Sequence, residues 1–70
     1  MTHPQDEAFG AAIKALGEKH KVTPQRDLDY AVKLARHGFI SSAWNDALMV
    51  GIPHDELSAV QMLIYDKSIA

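Results

Sequence analysis

Thr23-Pro24-Gln25-Arg26-Asp27-Leu28-Asp29-Tyr30-Ala31-Val32-Lys33-Leu34-Ala35-Arg36-His37-Gly38 carries a start, a stripe and a stop for one helix. Thr23 can cap through its hydroxyl, and Pro24 suits the first helical position because the N–H it lacks would be unbonded there anyway. Asp27 and Asp29 fall toward the positive end of the helix dipole. Leu28, Ala31, Val32 and Ala35 then recur at three- and four-residue spacing, which puts them on one face. Gly38 ends the helix, since a residue without Cβ takes the left-handed conformation of a C-terminal cap most cheaply.

The same grammar extends in both directions. Upstream, Phe9, Ala12, Ile13 and Leu16 share a face of a helix predicted from Gln5 to His20. Gly10 and Gly17 weaken it by roughly 1 kcal/mol each relative to Ala, so it depends on packing. Downstream, Ser41 or Ser42 can cap a third helix with Trp44, Ala47 and Leu48 inward, closed by Gly51. Pro53 opens a fourth, with Asp55 and Glu56 in its first turn, running to about Lys67. No strand-like alternation, linker or low-complexity run interrupts this order. The evenly spaced His3, His20, His37 and His54 have unlike neighbours and are not a repeat. The fold expected is all-α: one four-helix domain over residues 1–70, helices two to four forming a compact unit with the N-terminal helix packed on it.

With 70 residues the chain has one small core, and burial alone leaves it marginally stable without help from a partner. It has no cysteine, which rules out disulfides, thiolate zinc sites and thiol catalysis. Met1 to Glu7 lacks the basic-then-apolar order of a signal peptide, and no apolar run reaches the roughly 20 residues of a membrane span. A soluble, cytoplasmic protein without membrane contact is the expectation. Net charge is −2, so the chain as a whole does not attract polyanions. The cations Lys14, Lys19, Lys21, Arg26, Lys33 and Arg36 nevertheless crowd into the first half, while beyond Gly38 Lys67 alone opposes Asp46, Asp55, Glu56 and Asp66.

No constellation supports catalysis. His54-Asp55-Glu56 has metal-ligand and acid-base residue types, but neighbours on a helix point about 100° apart and do not converge. A dipole-favoured first turn accounts for its carboxylates. His20 and His37 stand at helix ends, where an imidazolium is favoured. Ser41 and Ser42 have no acid-base partner at a useful spacing, and no glycine cluster could cradle a phosphate. No enzyme activity, cofactor or metal is therefore expected.

From Ala43 to Met62 the chain resembles a helix-turn-helix: Ala47 four residues before Gly51, Val50-Gly51-Ile52 at the turn, and Leu57 and Val60 as buried positions of the second helix. Asp46 departs from that pattern where a hydrophobe is usual. The resemblance implies a DNA-binding transcriptional regulator, with Lys19, Lys21, Arg26, Lys33 and Arg36 on phosphates and His54 and Ser58 near bases. Nucleic acid is nonetheless disfavoured, because the helix that would enter a groove offers His54, Asp55, Ser58, Ala59 and Met62 without one Arg or Lys. Gly38-Phe39, Ala47-Leu48 and Leu63 also resemble a ubiquitin-associated three-helix domain, with His37 where that family usually has Met.

The fourth helix points elsewhere. Leu57, Ala59, Val60, Leu63 and Ile64 span an arc of roughly 160°, wider than one neighbouring helix needs, with Met62 and Tyr65 beside it. The leading expectation is a small non-enzymatic regulatory or adaptor protein that binds another protein, or itself as a homodimer, through Leu57, Ala59, Met62, Leu63 and Tyr65.

Overall fold

A computed structural model describes residues 3–65 as four α-helices: α1 Pro4–Lys19, α2 Gln25–Arg36, α3 Ile40–Val50 and α4 His54–Tyr65. No strand occurs among the described residues. The expected extension of α4 to Lys67 lies outside them. α2 packs between α1 and α3, and α1 in turn carries α4. The N-terminal helix is thus the element on which α4 is seated. The radius of gyration, 11.1 Å, is what close packing of a chain this long gives.

α1 starts one residue earlier than its periodicity suggested. The backbone N–H of Gln5 donates to His3 Nδ1 at 3.2 Å, Pro4 fills the first helical position, and Asp6 and Glu7 follow in the first turn. At α2 the structure corrects the expected cap. Pro24, not Thr23, is the N-cap; its carbonyl accepts from the N–H groups of Asp27 and Leu28 at 3.1 and 3.4 Å, and no side chain caps the helix. Thr23 stands one residue too early for its hydroxyl to serve the first turn. α3 likewise begins at Ile40 with Phe39 as its N-cap, so Ser41 and Ser42 lie inside the first turn and do not cap it.

Three helix ends share one hydrogen-bond pattern, in which two successive residues just past the helix donate back into its last turn. After α1, Lys21 and Val22 donate to Glu18 and Gly17 at 3.3 and 3.0 Å; after α2, Gly38 and Phe39 donate to Ala35 and Leu34 at 3.1 and 2.9 Å. After α3, Gly51 and Ile52 donate to Leu48 and Ala47 at 3.2 and 3.1 Å. The turning residue has positive φ each time: +53° at Lys21, +90° at Gly38 and +116° at Gly51. Val22 and Ile52, which follow the turn, drop into the core, whereas Phe39 stays exposed.

The core is one cluster. Phe9 and Ile13 of α1, Leu28 of α2 and Leu57 of α4 are its large fully buried members, each worth roughly 1.5–3 kcal/mol of apolar burial. Ala31 and Ala35 of α2 and Ala43 and Ala47 of α3 are fully buried too, and their small size lets these helices approach closely. Trp44, expected in the core, is half-buried at its margin, with its ring edge-to-face against His54 at 5.4 Å.

Candidate interaction surfaces

α4 is tied to α1 at both ends. Near its start, Lys19 Nζ lies 2.7 Å from Glu56 Oε1 and His20 Nε2 lies 2.5 Å from Glu56 Oε2. The Lys19 hydrogen bond holds the Glu56 carboxyl below its ordinary 4.5; burial pushes the other way and His20 adds to the lowering. Near its end, the Tyr65 ring meets Phe9 edge-on at 5.8 Å, and its hydroxyl donates to Asp6 Oδ1 at 2.8 Å. Burial, reinforced by the Asp6 carboxylate, pushes the Tyr65 hydroxyl pKa well above 10.0. Gln5 Nε2 also donates to the Ile64 carbonyl at 3.4 Å.

These ties divide the five residues expected to face a partner. Leu57 belongs to the core at 0% exposure, so no partner reaches it on the folded chain. Tyr65 is turned onto Phe9 and Asp6 of α1 and is likewise removed from the outward face. The arc of apolar residues is too wide for solvent exposure throughout, because α1 takes one side of it. Ala59, Met62 and Leu63 remain outside, with Met62 57% and Leu63 70% exposed. The Ser58 hydroxyl donates to Met62 Sδ at 3.8 Å, along the edge of this face.

The residues of the nucleic-acid alternative do not share one surface. Lys33 and Arg36 line a groove between α1 and α2 with Lys14 and His37, but Glu7 and Asp29 line it as well. Arg36 Nε is 3.1 Å from Glu7 Oε2. Lys19 is bound to Glu56, Lys21 sits in the turn after α1, and Arg26 is exposed in the first turn of α2. His54 and Ser58 lie on α4, where His54 Nδ1 is 3.8 Å from Asp55 Oδ1.

One surface was not visible in the sequence. Asp27 and Tyr30 of α2 and Asp46, Met49 and Val50 of α3 line a shallow cleft of about 250 Å³. It forms because the α2–α3 seam brings together residues far apart in the chain, and no periodicity within either helix signals it. Among the described residues no group of three or more His, Cys, Asp or Glu could hold a metal ion, and no helix is long and apolar enough to cross a membrane. No protein-family model, curated protein or solved structure matches the chain.

Proposed function

We propose that the protein is a non-enzymatic regulatory or adaptor module that acts by binding protein, and that it pairs with a second copy through α4. The observation that carries this reading is the exposure of Met62 and Leu63, 57% and 70%, side by side on a helix whose packing partner is α1. Ala59 lies one turn before them on the same face and is small enough for a second helix to approach closely.

The same geometry weighs against a DNA-reading role for α4. Ala47, Ile52 and Leu57 are buried around the Gly51 turn, as a helix-turn-helix requires, yet the exposed residues of α4 are His54, Asp55, Ala59, Met62 and Leu63. A face without one Lys or Arg neutralises phosphates poorly. Sedimentation equilibrium tests the proposal: the unaltered chain gives a concentration-dependent mass, and Met62→Lys with Leu63→Lys returns it to monomer. A monomer at every concentration up to the high micromolar range excludes it. Selection from randomised duplexes at physiological salt tests the alternative, through an enriched consensus lost on His54→Ala or Ser58→Ala.

A further inference from the structure

We infer that the cleft between α2 and α3 is a second docking surface, and that its occupant is a cationic amphipathic helix of another protein. Met49 is 83% exposed and Tyr30 is 56% exposed, so two large apolar side chains stand in solvent on facing helices. Asp27 and Asp46 line the same cleft, and neither forms an ion pair or side-chain hydrogen bond with any described residue.

That combination specifies the partner. A cleft of about 250 Å³ is smaller than ordinary small-molecule pockets, which start near 300 Å³, but accepts one or two side chains. Methionine is unbranched and polarizable, so Met49 can reshape itself around an aliphatic or aromatic anchor. The two carboxylates repel each other and any phosphate, and they attract Lys or Arg flanking that anchor. A nucleic acid is therefore the wrong occupant. A second copy fits poorly as well: Arg36 is already held by Glu7, and the Lys14–Lys33 groove has Glu7 and Asp29 within it. The surface is distinct from the Met62–Leu63 face of α4, so a paired protein would present it twice.

The test uses a short helical peptide of leucine and lysine at three- and four-residue spacing, with a leucine–glutamate peptide of the same apolar pattern and oligolysine as controls. The readout is the Met49 methyl and Tyr30 ring resonances of the full chain. The leucine–lysine peptide shifts both saturably, and neither control does. Met49→Ala weakens binding about tenfold, as loss of a central anchor does. Asp27→Asn and Asp46→Asn each weaken it roughly two- to fivefold, less at high salt, as loss of an exposed charge pair does. Met49 and Asp27 are exposed and Asp46 is half-buried, and circular dichroism checks that the variants remain folded. The inference is overturned by no shift at millimolar peptide, by an equal response to the leucine–glutamate peptide, by shifts at Met62 in place of Met49, or by Met49 shifts on concentrating the protein alone.

Discussion

Gly17 of α1 lies directly against Leu28 of α2: a Cβ added at residue 17 would stand 2.4 Å from both Leu28 methyl carbons. Leu28 is fully buried and has nowhere to move. Gly17→Ala therefore destabilises the fold although Ala is the better helix former. Overpacking of about 1–3 kcal/mol outweighs a propensity gain of about 1 kcal/mol. At Gly10 the nearest atom is the Cγ of the exposed Arg36 side chain, at 2.7 Å, which can swing aside, and the Val32 carbonyl oxygen at 3.2 Å leaves only a mild crowding. Gly10→Ala should cost less than Gly17→Ala in denaturant melts, and the reverse order contradicts this account of the α1–α2 seam.

Lys21 holds φ at +53° in the turn after α1, where Gly38 and Gly51 serve the equivalent ends of α2 and α3. Lys21→Gly should stabilise the protein by about 0.5–1 kcal/mol, because glycine takes that conformation without a Cβ penalty. Gly51→Ala, at φ +116°, should destabilise it. Thermal melts of the two variants move in opposite directions.

Thr23→Ala should change stability by no more than about 0.5 kcal/mol, the range of surface substitutions without a special role. Pro24 already occupies the N-cap of α2 through its carbonyl. A loss near 1 kcal/mol, typical of a removed capping side chain, would instead place the Thr23 hydroxyl on the helix.

The four helices were legible because their punctuation is local: Gly38, Gly51 and Pro53 act on their own backbone whatever packs nearby. Thr23 misled for the same reason, since a good capping side chain one residue before a proline is indistinguishable in sequence from one that caps. Gly10 and Gly17 read as weaknesses of α1 because propensity is a property of one helix, whereas Leu28 against Gly17 is a property of two. The outward face of α4 was half legible. Periodicity found the wide apolar arc, but α1 decides that Leu57 and Tyr65 turn inward while Ala59, Met62 and Leu63 stay out. The α2–α3 cleft joins Asp27 and Tyr30 to Asp46 and Met49 across a turn and could not be read from either segment.

The two ends of the α1–α4 seam should respond to opposite extremes of pH. Glu56 has its folded pKa below 4.5, so its stabilising contribution is present above that value and is lost as pH falls through the lower folded value. Tyr65 has its folded pKa raised above 10.0, so its contribution is present below that value and is lost as pH rises toward the folded one. Glu56→Gln should flatten the acid limb of stability against pH and leave the alkaline limb alone. Tyr65→Phe should do the converse, and should cost about 1 kcal/mol at neutral pH through loss of the bond to Asp6.

Methionine methyl resonances followed on dilution read out pairing through α4, because Met49 and Met62 are both exposed and lie on different surfaces. Pairing shifts the Met62 methyl with protein concentration, with a micromolar midpoint, while Met49 does not move. A Met62 resonance that is invariant into the millimolar range, or one that moves only together with Met49, contradicts it.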